Sequence, residues 1–579
     1  MHLSRRSALL GLTASLPLTS AAIAAPANAA TTTPDATPPT TPPPTSSSAP
    51  GGVLGVQQWL NATFGTVTGW VHVVEDGTSG SGTVLGLVQA TQSLLGITPV
   101  VPAFGAQTRQ RLDEHGDIGA ESGESGASST SGPNTSDTSP SDTDHDAATW
   151  CRLVQAGLIC KGASAVSLTG EWDAPTTAAL ATLRDDLGAT PGTLPVSPHL
   201  YGALLTTDAV TLAPGGSPTI RTVQQYLNRT YAERPGGAYG GTNGLVDGTT
   251  TAAVVRAVQI DSGAAASSVD GVWGPGTAKA LRAATASVVG PGSTGPWVHL
   301  VKTLLVLNRE RVPFDDVYTA ADARVVRAFQ QFQAFPPAQQ TGTCDFGTWA
   351  ALAASSGDPD RATTGADLST PLDAARAAAV KASGVSIVGR YLTNLDKPGA
   401  LDKAMTRAEV TTIARAGLGL WPIFEEGGTA ASWFTFAQGI ADAHRAHDAV
   451  RQLGIPKQTT VYFAVDYDAT DDDIETKVVP YFRGVTKGLR DRGGLVKPGV
   501  YGARRTCTVV SNAGLAHCSF VAGTTTGWAG NQLQPLPRNW SFNQIQERTA
   551  GSGASAVDID ANVVSGRDPG VTAAQLLGH

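Results

Sequence analysis

The sequence predicts a multidomain protein in which mainly α-helical repeat modules precede a C-terminal (β/α)8, TIM-like barrel. Three observations lead there. Over roughly the last 200 residues, eight β-branched or aromatic runs alternate with helical ones, as a barrel of parallel strands requires. Before them, a Val-Gln-Gln opening, an Asp-Gly turn and a Thr-started helix recur. The joins are rich in Ser, Thr, Gly and Pro, the composition of linkers rather than cores. A chain of 579 residues is in any case too long for one domain.

Residues 1–29 read as an export signal. Ser4-Arg5-Arg6-Ser7 precedes an apolar run, and Ala27-Asn28-Ala29 suits cleavage. The paired arginines resemble a twin-arginine signal, which implies a secreted or wall-associated protein. A Thr/Pro/Ser-rich linker covers 30–52. No later run reaches ~18 apolar residues, so the mature protein is expected to have no membrane span. Only 15% of residues are charged, net charge is −8 and no basic cluster occurs, which argues against a nucleic-acid partner.

The helical region divides into segments 53–115, 148–206, 218–285 and 296–354, with a Ser/Gly/Asp-rich linker over 116–147. The third segment is the clearest. Val223-Gln224-Gln225-Tyr226-Leu227-Asn228 opens a helix, Val246-Asp247-Gly248 turns, and Thr249–Gln259 is helical. Val269-Asp270-Gly271-Val272-Trp273-Gly274-Pro275-Gly276-Thr277 turns again. Val56-Gln57-Gln58-Trp59-Leu60-Asn61 and Phe329-Gln330-Gln331-Phe332 echo it; the second segment is the most degenerate. These segments resemble peptidoglycan-binding-domain-like repeats, small three-helix modules. The resemblance implies a cell-wall glycan partner, with Trp273 beside its groove.

The barrel is assigned to 364–579. Its strands are read at Ala366-Asp367, Val385–Leu392, Leu418–Glu425, Thr459–Val465, Gly499–Tyr501, Phe520–Ala522, Asn543–Gln546 and Val557–Asp560. In Thr460-Val461-Tyr462-Phe463-Ala464-Val465-Asp466-Tyr467-Asp468, an uncharged run ends in two carboxylates one residue apart. Period 2 puts Asp466 and Asp468 on one side, at the end of the strand where parallel α/β folds bind ligands. Asp367, Glu425, Glu426, Asp558 and Asp560 also fall at or near strand ends, accompanied by Tyr391, Phe424, Tyr467, Tyr501 and Trp528. Carboxylates with aromatic walls suit a sugar, whose C–H faces stack on rings.

Gly365-Ala366-Asp367-Leu368-Ser369, Tyr462–Asp468, Lys497-Pro498-Gly499-Val500-Tyr501 and Val557-Asp558-Ile559-Asp560 resemble the glycoside-hydrolase-like barrel of exported actinobacterial proteins. That barrel is similar to glycoside hydrolase family 25, the lysozyme-like muramidases. The resemblance implies catalytic roles for Asp468, Asp466, Asp367 and Asp558. Asp468 stands where the muramidases carry their general-acid Glu, and Asp560 where they usually have Asn. The shorter side chain retracts the carboxyl by about 1.5 Å. Glu425 or Glu426 is expected to supply the reach. A lectin-like, non-catalytic barrel is the alternative.

No cofactor is expected. His444 and His447, at i, i+3 without a carboxylate motif, read as surface residues rather than metal ligands. Among five cysteines, Cys151 with Cys160 and Cys507 with Cys518 are close enough in sequence for local disulfides; Cys344 is left over as a buried thiol.

Overall fold

The computed structural model describes residues 51–119 and 140–578, and of 140–146 the backbone only. Residues 1–29, read as an export signal, nearly all of the 30–52 linker and most of the 116–147 linker lie outside these residues. Twelve helices come first among the described residues: α1 Gly52–Phe64, α2 Ser81–Leu94, α3 Ala106–His115, α4 Pro140–Cys160, α5 Ala174–Leu187, α6 Pro198–Thr206, α7 Pro218–Tyr231, α8 Gly248–Asp261, α9 Pro275–Ala283, α10 Pro296–Leu307, α11 Ala320–Phe332 and α12 Phe346–Ala353.

The Val-Gln-Gln signature has a structural cause. In α7, Val223 and Leu227 are core residues, while Gln224 is a buried strap. Its Nε2 donates to Thr250 Oγ1, the third residue of α8, and its Oε1 accepts from Gly244 N in the preceding turn. Gln57, Gln155, Gln259 and Gln330 make the same pair of bonds, to Thr83, Thr176, Thr277 and Thr348 and from Gly77, Gly170, Gly271 and Gly342. Gln92 does so with Thr108 and the Val101 amide. Each strap satisfies a turn amide and a helix-start hydroxyl that burial would otherwise orphan. In α10 the same place holds Lys302, wholly buried, against Asp315 (2.5 Å) and Asp322 (3.2 Å), the third residue of α11.

Eight strands then form a closed barrel: β1 Gly365–Asp367, β2 Ile387–Tyr391, β3 Gly419–Phe424, β4 Thr460–Ala464, β5 Lys497–Gly502, β6 Ser519–Val521, β7 Trp540–Ala550 and β8 Val557–Val564. All eight predicted strands are present, but the (β/α)8 expectation needs correction. β1 to β7 pair in parallel, whereas β8 is antiparallel to both β7 and β1. A parallel crossover needs a dozen or more residues. Ala550 and Val557 are too close for one, so the chain turns back as a hairpin.

Helices cover only part of the barrel wall. α13 Ala374–Ala382, α14 Arg407–Arg415, α15 Phe436–Leu453, the pair α16 Asp471–Asp473 and α17 Val479–Asp491, and α18 Arg504–Asn512 follow β1 to β5. No α-helix follows β6, and α19 Ala573–Leu577 comes after β8. The helical region reaches the uncovered side. Trp540 Nε1 on β7 donates to Phe332 O of α11, and the Arg567 guanidinium lies 4.9 Å from the Phe332 ring.

Two further expectations fail. All five cysteines are free. Cys151 and Cys160 share α4, where nine residues separate them by about 13 Å along the axis, too far to bridge. Cys507 packs in the core between barrel and helices, while Cys518 packs inside the barrel. His447 is buried against Asp448 (3.0 Å), not on the surface. Among the described residues, no helix is long and apolar enough to cross a membrane.

Candidate functional site

Alternation along the strands decides which side chains enter the barrel. Ile387, Trp421, Ile423, Tyr462, Phe520 and Phe542 pack inside it, with Trp421 stacked on Phe542 at 4.0 Å. Gly389 is required there: a Cβ would lie 2.5 Å from the Trp421 indole. Tyr462 Oη donates to Asp568 at 2.6 Å, and burial pushes that phenol far above its ordinary pKa. The lower barrel is thus plugged by rings, and polar side chains gather in the next layer toward the strands' C-terminal ends.

That layer is a connected network. Gln544 on β7, fully buried, donates from Nε2 to both oxygens of Asp367 on β1 (2.9 and 3.0 Å) and to Asp560 Oδ2 on β8 (3.3 Å). Asn562 Nδ2 also donates to Asp367, at 2.8 Å. Gln544 Oε1 accepts from Tyr501 Oη on β5 at 3.1 Å, and the same hydroxyl lies 3.5 Å from Asp466 Oδ1 at the end of β4. Asp367, Asp466, Tyr501 and Asp560 therefore come together as the sequence suggests. Gln544 and Asn562 were missed. Both are in phase with inward residues, Gln544 two after Phe542, but a neutral amide carries no charge signal.

Beside this network lies a second polar cluster. Lys403 Nζ bonds Glu425 at 2.7 Å and sits 4.0 Å above the Tyr391 ring. Glu426 is nearly buried and pairs with Arg445 at 3.0 Å; burial raises its pKa, while Thr393 and Arg445 oppose the rise. Trp528, partly buried, packs against the ring cluster inside the barrel.

Four predicted site residues sit outside that network. Phe424 points away from the barrel interior and packs at 5.4 Å on Phe463 in the helix-side core. Tyr467 stacks on Phe434 in that same layer, and burial pushes its hydroxyl up to about 12. Asp558 is exposed on the part of the β7–β8 hairpin beyond Asp560, where it accepts from Thr549 Oγ1 at 2.7 Å. Asp468 is exposed too, and its two oxygens accept the backbone amides of Ala529 (2.8 Å) and Gly530 (3.2 Å). Trp273 is half-buried against the core of the last two helical segments. Among the described residues, no group of His, Cys, Asp and Glu is arranged to hold a metal ion.

Comparison with known proteins places both regions. The chain is 36% identical to FadG of Bacillus subtilis over 530 residues, covering 91% of this chain and 86% of that protein. It belongs to the FadG family. YbfG of the same organism is 35% identical over 530 residues, covering 90% of this chain and 68% of the relative. Both relatives are described as uncharacterized. Residues 378–564 match the family described as Rv2525c-like, glycoside hydrolase-like domain, and residues 213–353 match the FadG/YbfG, PGDB-like domain. The barrel is thus a glycoside-hydrolase-like domain. Among solved structures, the Mycobacterium tuberculosis Tat-secreted protein Rv2525c, crystallised with HEPES, is 20% identical; the match covers 35% of this chain and 95% of that one, with a TM-score of 0.30. An uncharacterized B. stearothermophilus protein is 21% identical, covering 35% and 97%, with a TM-score of 0.27.

Proposed function

We propose that this FadG-family protein is exported and acts on cell-envelope glycan, peptidoglycan first among candidates, by acid-assisted hydrolysis of a glycosidic bond at the barrel mouth. The observation that supports it is the carboxylate layer itself. Asp466 stands on one wall, half-exposed, while Asp367 and Asp560 share the Gln544 amide on the other. An acid able to protonate a leaving oxygen, facing fixed negative charge, suits an oxocarbenium-like transition state. In this reading sugar stacking falls to Trp528 and Tyr391.

In this proposal Asp466 takes the proton-donor role that the muramidase resemblance gives to Asp468. The two oxygens of Asp468 are instead engaged by the Ala529 and Gly530 amides, a contact that fixes the chain after Trp528. Asp367 and Asp560 stabilise charge developing in the ring or orient a substrate N-acetyl group. The helical region holds the barrel against the wall.

Release of reducing ends from purified peptidoglycan, and from a panel of envelope glycans, tests this. Asp466→Asn should cost about 10²-fold or more in turnover, at the low end for a general acid, while leaving sugar binding within a few-fold. Turnover unchanged in Asp466→Asn would refute the assignment. The engagement of Asp468 by backbone amides favours a second reading, a lectin-like barrel. Glycan binding without release from any substrate would select it.

A further inference from the structure

We infer that the β6–β7 segment, 523–537, is a positioning strap in which Asp468 and Leu533 hold Trp528 at the barrel mouth, so that one wall of the site depends on the helical region. The sugar-stacking role of Trp528 rests on the glycan reading above; the strap itself does not.

The segment replaces the helix that would follow β6 in a full (β/α)8 barrel. It is short of regular structure, with only the 3-10 turn Ala529–Asn531, so something else must fix it. Four contacts do. Asp468 accepts the two amides immediately after Trp528, closing that turn from the β4 side. Gly530 leaves no room for drift: a Cβ there would lie 2.9 Å from the Ala503 methyl. Asn531, buried, donates to Ala522 O (2.9 Å), Thr525 O (3.1 Å) and Thr525 Oγ1 (2.8 Å), and accepts from Arg504 N (2.8 Å). These bonds fold the segment back on the end of β6.

The third contact ties the strap to the interdomain join. Arg504 is 2% exposed, and burial lowers its pKa to about 10. It spends its guanidinium on backbone carbonyls, donating to Gln534 O at 2.7 Å and Ser355 O at 2.9 Å. Ser355 lies between α12 and β1, and its hydroxyl donates to Gly523 O at the strap's start.

Leu533 is the fourth contact, and it leaves the barrel altogether. It is 3% exposed, and it belongs to the helical core that holds Val223, Leu227, Val254, Leu281 and Leu300. Its φ is +48°, a left-handed conformation that a bulky residue adopts only where the surroundings enforce it. Burial of the leucine in a foreign core supplies that enforcement. The preceding residue is pressed equally close: a Cβ on Gly248 of α8 would fall 2.9 Å from Gln532 Oε1. The chain from Trp528 to Leu533 thus links the mouth of the barrel to the inside of the helical region.

The test is hydrogen exchange across the full-length protein, with calorimetric titration of an N-acetylglucosamine tetramer. Leu533→Ala should raise amide exchange throughout 524–534 by about thirtyfold or more, the least expected from truncating a buried leucine. Asp468→Ala should do the same from the other side. Asp468→Asn keeps one acceptor oxygen and should fall between that variant and wild type. Tetramer affinity should drop in the same order, with exchange in β1 to β4 unchanged. Exchange that rises only at Ala529 and Gly530 in Asp468→Ala would overturn the strap. Wild-type tetramer affinity in both alanine variants would overturn the dependence of the site wall on the strap. The full exchange pattern in the variants, with no tetramer bound by the wild-type protein, would uphold the strap and count against the glycan reading instead.

Discussion

Lys302 offers the sharpest check on how the helical region is held together. At six other helices a glutamine bridges to a threonine at the third position of the next helix. In α10 the pair is Lys302 and Asp322, with the ammonium 0% and the carboxylate 1% exposed. Burying two charges where a neutral amide and hydroxyl suffice elsewhere is costly, and the attraction between them only offsets it. Removing Lys302 leaves the buried Asp322 carboxylate without its cation. Lys302→Ala should therefore destabilise this segment by about 3–5 kcal/mol, the range for breaking a buried pair. The double variant Lys302→Gln/Asp322→Thr installs the motif used at Gln224 and Thr250. It should return to within about 1 kcal/mol of wild type, or exceed it, as buried pairs replaced by fitting neutral groups often do. A chain of several domains does not yield one unfolding free energy. Native-state hydrogen exchange in peptides from α10 and α11 is therefore the measurement. A double variant as unstable as Lys302→Ala would refute the equivalence of the two motifs.

Two further outcomes follow from single contacts. Gly389→Ala drives a methyl into the Trp421 indole and should lower stability by about 1–3 kcal/mol or more, read as faster exchange in β2 and β3. Asp270 is held below its ordinary pKa of 3.8, chiefly by the Gln259 amide and then by the Val272 N–H. That depression adds stability present above pH 3.8 and lost as pH falls through the lower folded pKa. Gln259→Leu should move the Asp270 titration, followed by NMR, up toward the ordinary value and weaken acid resistance; an unmoved titration would show that the strap contributes nothing to it.

Much of the barrel was legible because period 2 is a strict rule. Asp367, Asp466 and Tyr501 reach the mouth by the same phase that buries Tyr462 and Phe520 inside. Phe424 obeys the same rule against expectation: with Ile423 inward, its neighbour has to point outward. Proximity to a strand end was mistaken for direction. Asp558 fails by height instead, since β7 and β8 continue past the barrel and carry it one pleat beyond Asp560. The antiparallel course of β8 was readable from the ten residues between Gln546 and Val557, too few for a helix crossover. Asp468 could not have been placed from sequence. Its partners, Ala529 and Gly530, lie some sixty residues away and act through their amides, which any residue but proline possesses.

The missing helix after β6 explains why the two regions make one folded body rather than a tool on a tether. A sheet face has to be covered by something apolar. Around β1 to β5 the barrel's own helices do this. On the β6–β7 side the cover includes Phe332 and Ala334, packed against the barrel's outer core. Trp540 pays its indole N–H into the last turn of α11, and Arg361 donates to Gln333 O at 2.8 Å while lying over Phe335. Leu533 makes the exchange reciprocal, since it completes the helical core from the barrel side. Cutting the chain near residue 364 would expose Trp540 on one piece and leave the Leu533 site vacant on the other, so neither should retain its full stability. The 530-residue match to FadG spans both halves together, as expected of parts that share cores. A barrel carried beside an independent helical domain would need no such interlock; a barrel whose mouth is trimmed by a loop seated in the helical core does.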